Sequence, residues 1–425
     1  MKDAQMEPQS QASGIRDGRH PAWRAATLIV LAVAGGCGGG SDTDPADTAQ
    51  AAADRALREQ ISAVMTAAMS DYHLRALIVR VTVDGRDIAT SARGESMSGV
   101  PATTEMHFRN GAVSFTYMGT LLAVLAGRGS LDLDSPISTW LPALPHASEI
   151  TVRMLANMTS GYTDYVYEPQ VLVGTDADPF RQWRNEELLS IGVSRPLMFT
   201  PGSNWGYSHT NYLILGQIVE QLTRRPLAAV MDDEVLRPMG LRNTMSSTTA
   251  AIPPPVLHSY SSERRSFLQI PAGEPFIEDS TFWNPSWTTV SGAVQTTNIT
   301  DLATTAEKVG SGALVTPALY EQQVGNRLVG LGERTAGCPV CAPITADRGY
   351  GLGVLLLGKW IAQTKDFAGE GGAMAYLPER RVAIAVVTTL RPEAYDDMGA
   401  AGNPSMPVMR RLGALLAPDR PMGPS

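Results

Sequence analysis

Lysine is nearly missing from this chain. Of 34 basic residues in 425, four are lysines: Lys2, Lys308, Lys359 and Lys365. None stands three residues after a serine, so a serine activated by a lysine one helical turn away is excluded. Cysteine is sparse too, at three residues, and the paired ones have no further Cys or His nearby to complete a zinc site. A surplus of positive charge is absent: the net charge is −8. With no basic stripe to neutralise phosphates, a nucleic-acid partner is excluded. The N-terminal apolar run Ala25–Ala34 is too short to cross a bilayer stably.

What is there begins with an address. Arg16, Arg19 and Arg24 precede that apolar run, and Gly35, Gly36 and Cys37 follow it. A basic segment, an apolar segment and small residues make an export signal over residues 1–37. Small residues leading into a cysteine resemble a bacterial lipobox, which implies lipidation at Cys37 and a membrane anchor in the periplasm or at the cell surface. An ordinary cleaved secretory signal is the alternative. Residues 38–54 read as a flexible, Gly- and Asp-rich linker running into the first helix, and residues 55–420 as one large domain.

Cys338-Pro339-Val340-Cys341 lies in a Gly- and Pro-rich loop. In an oxidising compartment this spacing suits a small-loop disulfide; a redox role would need the pair to open a helix in a βαβ unit.

Thr48–Met69 carries helix formers with few breakers. Ala76–Val83 and Arg86–Ala92 flank Asp84-Gly85, a preferred hairpin turn. Tyr350–Leu357, Lys359–Lys365, Gly372–Leu377 and Val382–Thr388 read as strands, with Arg380 and Arg381 in a turn, and Met406–Leu416 as a closing helix. The middle alternates helices with aromatic loops that read as exposed (Tyr162, Tyr165, Tyr167, Trp183, Trp283 and Trp287). Strands at both chain ends with helices between predict an α+β fold: one antiparallel sheet flanked by helices, with a helical subdomain.

The segment 103–137, TTEMHFRNGAVSFTYMGTLLAVLAGRGSLDLDSPI, carries the strongest signal. With its Gly129, Leu131, Leu133 and Asp134, it resembles the nucleophile region of the penicillin-recognising serine hydrolases: class C β-lactamases, DD-peptidases and related esterases. Pro201-Gly202, Tyr207-Ser208-His209, Asn211-Tyr212, Pro238-Met239-Gly240-Leu241, Thr244-Met245 and Ser291-Gly292-Ala293-Val294 extend the resemblance in order over residues 55–415. It implies the serine β-lactamase/transpeptidase-like fold, and no cofactor or metal.

The same resemblance locates an altered site. The family's Ser-x-x-Lys falls on Ala112 and Phe115. A methyl group cannot attack a carbonyl, and a phenyl ring cannot accept a proton. Ser114 points off that helical face. The family's Tyr-x-Asn becomes Tyr207 and His209. An ordinary tyrosine is a weak base at neutral pH, whereas a histidine can act as base or acid. Without a gap, the strand motif that begins with Lys or His falls on Gln363, Thr364 and Lys365, candidate substrate-binding residues; with a deletion it falls on Phe367-Ala368-Gly369, which also lacks the leading cation. Lys365 stands where the family places glycine, yet could meet a substrate carboxylate. Backbone N–H groups of an oxyanion hole need no particular side chain.

Two functions fit. One is a cell-envelope lipoprotein that has lost acyl-enzyme chemistry and binds a peptidoglycan peptide, an ester or another small ligand. The other is a hydrolase of esterase, peptidase or β-lactamase type working through Tyr207 and His209.

Overall fold

Alternation with a period of two at both chain ends decides the architecture. The computed structural model describes residues 45–424. Met1–Thr48 groups apart from Ala49–Ser425, and only the start of the first helix is described there. The expected export signal, Cys37 and most of the linker lie outside the described residues. The first helix, α1 (Pro45–Asp71), starts three residues before the expected Thr48.

Five strands build the start and middle of the chain's sheets: β1 (Leu74–Val83), β2 (Arg86–Met97), β3 (Val100–Pro101), β4 (His107–Arg109) and β5 (Met245–Ser246). They are followed by β6 (Tyr260–Ser261), β7 (Glu278–Asp279), β8 (Val294–Asn298), β9 (Arg348–Tyr350) and β10 (Leu355–Leu357). The last three are β11 (Trp360–Phe367), β12 (Glu370–Leu377) and β13 (Val382–Leu390). The main sheet has the order β3-β2-β1-β13-β12-β11-β10-β9, and its neighbours run antiparallel.

Both faces of this sheet are covered. Leu77, Val79 and Val81 of β1, with Val382, Ile384 and Val386 of β13, face Ile61 and Met65 of α1 and Val408 and Leu412 of α11 (Ser405–Leu416). The alternate residues Ala76, Ile78, Ala383, Ala385 and Val387 enter the larger core, which holds α2 (Ser114–Gly127) and α9 (Ile299–Gly310). Such two-sided burial is why these strands are apolar throughout.

Between β4 and β5 lies the helical subdomain. It comprises α3 (Val152–Ala156), α4 (Pro169–Ala177), α5 (Asn185–Val193), α6 (His209–Thr223), α7 (Leu227–Met231) and α8 (Arg237–Met239). The remaining helix, α10 (Pro317–Val324), precedes β9. A small sheet, β4-β8-β5, leads into α2.

Two expectations change. Tyr350–Leu357 is two short strands, not one, because Gly351–Val354 turns between them and Gly353 takes φ +74°. The aromatic loops are mostly interior: Tyr162, Tyr165, Trp183 and Trp283 are buried, Trp287 is half-buried, and Tyr167 alone of the six is strongly exposed, at 63%. Tyr162, Tyr165 and Trp183 join the main core, whereas Trp283 and Trp287 pack with Phe367 at the end of β11.

Candidate active site

A 3-10 turn, Gly111–Val113, feeds directly into α2. From Ser114 to Leu125 every residue of α2 is buried, as expected for a helix apolar on all faces. Ala112 sits in the turn, half-buried, and offers only its methyl group. Phe115 is 1% exposed and stacks on Tyr212 of α6, with centroids 3.8 Å apart and planes 16° apart. Its ring also lies 5.8 Å from Tyr207 and 5.5 Å from His209. Tyr212 is fixed from the other end, donating to the Ala156 carbonyl at 2.9 Å.

Tyr207 and His209 meet edge to face at 5.2 Å. Burial among rings, with Tyr350 and Asp164 adding to it, pushes the Tyr207 hydroxyl well above its usual range. It is therefore a hydrogen-bond donor and not a base. His209 opens α6, and its Nδ1 is 2.9 Å from Oδ2 of Asp164. The Asp164 side chain is 2% exposed and that of His209 15%. Asp164 also accepts from Val166 N–H at 3.1 Å. Its carboxylate lies beside the N-terminus of α6, where the helix dipole favours negative charge.

The third segment is turned inward. Gln363 is buried and donates to the Gly353 carbonyl at 2.9 Å, an acceptor shared with Thr116 at 2.8 Å. Thr364 is half-buried. Lys365 is 2% exposed and forms an ion pair with buried Glu370 across the β11–β12 turn. Its ammonium lies 5.0 Å from the Phe108 ring centroid. Burial pushes the Lys365 amine well below its usual range; Asp366 opposes this and Arg109 adds to it.

The Lys365 stem fills the space beside Gly111, where a Cβ would come within 2.8 Å of Lys365 Cβ and φ is +49°. The Lys365 charge and the Gln363 amide, both candidates for substrate binding, are thus buried and paired within the protein.

Cys338 and Cys341 form a disulfide, both fully buried. It packs on the loop before α6: Asn204 Nδ2 lies 3.6 Å from Cys341 Sγ, and Asn204 Oδ1 accepts from Gly332 N–H at 2.6 Å. Trp205 in turn packs on Tyr350, and Tyr350 on Tyr207, at 5.7 and 6.3 Å.

The structure therefore brings Phe115, Tyr207 and His209 together, with Ala112 one helical turn away. Sequence reasoning missed Asp164 and Glu370. Asp164 carries no local signal, being 45 residues from His209. Glu370 was legible only as a charge inside a strand otherwise rich in Gly and Ala. Among the described residues, no group of three or more His, Cys, Asp or Glu is placed to hold a metal ion. None of the described helices is long and apolar enough to cross a membrane.

A family model described as Beta-lactamase matches residues 61–403. The chain belongs to the Beta-lactamase family. Esterase EstB of Burkholderia gladioli is 32% identical over 200 residues, covering 44% of this chain and 51% of the esterase. Penicillin-binding protein 4 of Amycolatopsis lactamdurans is 28% identical over 191 residues, covering 43% and 48%. The chain thus spans about half the length of these curated relatives. A solved D-stereospecific amidohydrolase from a Streptomyces species superposes with a TM-score of 0.68 at 21% identity, over 84% of this chain and 98% of that one. That likeness shows the serine β-lactamase/transpeptidase-like fold.

Proposed function

We propose that this protein is a cell-envelope lipoprotein of the family that no longer forms an acyl-enzyme and instead holds a carbonyl-bearing ligand at the old site. One observation carries this reading. The positions that supply nucleophile and base in the family hold a methyl group, Ala112, and a ring, Phe115, committed to a stack with Tyr212. A covalent route needs an attacking atom and a proton acceptor within hydrogen-bond reach of one another, and neither side chain has one.

The ligand class is an ester or a peptidoglycan peptide. Support comes from relatives whose names are esterase, penicillin-binding protein and amidohydrolase. Ala112, Tyr207 and His209 are each half-buried, so part of each side chain is open to solvent. The export signal and Cys37 supply the compartment and the anchor.

Thermal melting tests the binding. A ligand that binds only the folded state at 100 times its Kd stabilises by about 2.7 kcal/mol. A stem peptide ending in D-Ala-D-Ala and an uncleavable ketone analogue of a butyrate ester should be tried separately. A rise in Tm with either, absent in Tyr207→Ala, supports the reading; no rise with both contradicts it. Fatty-acid labelling of the full chain, lost in Cys37→Ser, tests the anchor, and an unlabelled chain contradicts it.

A further inference from the structure

Loss of the nucleophile does not remove every route to hydrolysis, because water can attack directly if a base takes its proton. Such a base must be oriented, must have a free lone pair and must face the ligand. His209 is oriented by a carboxylate, leaves one ring nitrogen without a hydrogen bond among the described residues, and keeps part of its side chain open to solvent. Asp164 Oδ2 lies 2.9 Å from Nδ1, which places the ring proton on Nδ1 and the lone pair on Nε2. Nε2 makes no hydrogen bond among the described residues, and the side chain keeps 15% of its surface exposed. Rings hold the imidazole on three sides: Phe115 at 5.5 Å, Tyr207 at 5.2 Å and Tyr165 at 6.1 Å. Asp164 is itself pinned by the Val166 N–H.

The geometry points to His209 as a general base that activates water for single-displacement hydrolysis of a carboxylic ester, with Asp164 as its positioning residue. This rests on the reading that a carbonyl-bearing ligand occupies the site.

The step balances without a further reactant. Water gives a proton to Nε2 as its oxygen bonds to the carbonyl carbon, and the carbonyl π pair moves onto oxygen. The tetrahedral intermediate then expels the alkoxide, which takes the proton back from Nε2. The products are a carboxylic acid and an alcohol, and nothing is oxidised or reduced. Tyr207 donates a hydrogen bond and does not take a proton. Esters are the fitting class because an alkoxide needs only one proton from one acid. An amide nitrogen is a far poorer leaving group and must take the imidazolium proton as the C–N bond breaks, whereas an alkoxide can leave first and be protonated afterwards.

The test uses p-nitrophenyl butyrate at neutral pH, with the ketone analogue as a binding control. His209→Ala should lose about 100-fold in kcat. Added imidazole should raise the rate in His209→Gly above that of imidazole without protein, and not in Asp164→Asn, which a structural role would not allow. Asp164→Asn should lower kcat with KM unchanged. Wild-type rates equal to buffer, with the ketone bound, would overturn this inference and leave the binding reading standing. No binding of the ketone would overturn this inference, and would overturn the binding reading as well where the stem peptide also fails to bind. Hydrolysis unchanged in His209→Ala would overturn the inference even where the wild type is active.

Discussion

The rings of Phe115 and Tyr212 lie face to face, 3.8 Å apart and 16° from parallel. This contact joins α2 to α6. An aromatic pair of this kind contributes about 0.5–1.5 kcal/mol beyond the area it buries. Phe115→Lys would remove the stack and place an ammonium among Tyr207, Tyr212 and Tyr350. Urea unfolding should show a loss of about 3–5 kcal/mol, and a loss under 1 kcal/mol would mean the ring is not packed as described.

Lys365 and Glu370 form a second buried pair. Each is about 99% buried in its side chain. Removing one partner of a buried pair leaves an uncompensated charge, whereas removing both often leaves stability unchanged. Lys365→Met should therefore cost about 3–5 kcal/mol, and Lys365→Met with Glu370→Met should recover most of that. Denaturant midpoints of the two variants decide it, and additive losses in the double variant would contradict the coupling.

The acidic groups near this pair make stability depend on pH. Burial raises Asp366 to about 6, with Lys365 opposing the rise. Burial, then the charge of Asp366, raises Glu263 to about 7. Unfolded carboxyls titrate near 4. Between about pH 4 and 7 the folded chain therefore keeps protons that the unfolded chain has released. The stability these groups contribute is complete below about pH 4 and is lost as pH rises through their folded values. Both side chains are exposed at the surface, so solvent screening reduces the effect strongly. In Glu263→Gln with Asp366→Asn, the fall in Tm from pH 4 to pH 7 should be shallower than in the wild type. A parallel fall in the two would contradict these assignments.

The Cys338–Cys341 disulfide closes a short loop against Asn204 and Gly206. Loop-closure entropy for so short a ring amounts to about 2 kcal/mol. Cys338→Ala with Cys341→Ala should lower stability by about that amount in non-reducing buffer, and reductant should then have no further effect on the variant. A reductant-sensitive variant would place the effect elsewhere.

Much of this was legible in the sequence. Strands such as Ala76–Val83 and Val382–Thr388 announce themselves by apolar content and by the Asp84-Gly85 turn, because local pattern and tertiary burial agree there. Ala112 and Phe115 were legible because the surrounding motif fixes their place. Less legible was whatever depends on contacts distant along the chain. Asp164 finds His209 only once α6 is docked, and Lys365 is recognised as a brace only when Glu370 folds back across the β11–β12 turn. Tyr350–Leu357 reads as one strand because apolar residues surround Gly351 and Gly353. Their conformational freedom, and not their polarity, makes the turn.

The most direct measurement is the intact mass of the folded domain after incubation with a penicillin and, separately, with a fluorophosphonate. The account predicts an unchanged mass with both reagents, because Ala112 has no atom that can be acylated or phosphonylated, and it predicts an unchanged mass in Ala112→Ser with penicillin, because Phe115 supplies no base. A stoichiometric adduct on the wild-type chain would contradict it, and the labelled residue would then be the nucleophile.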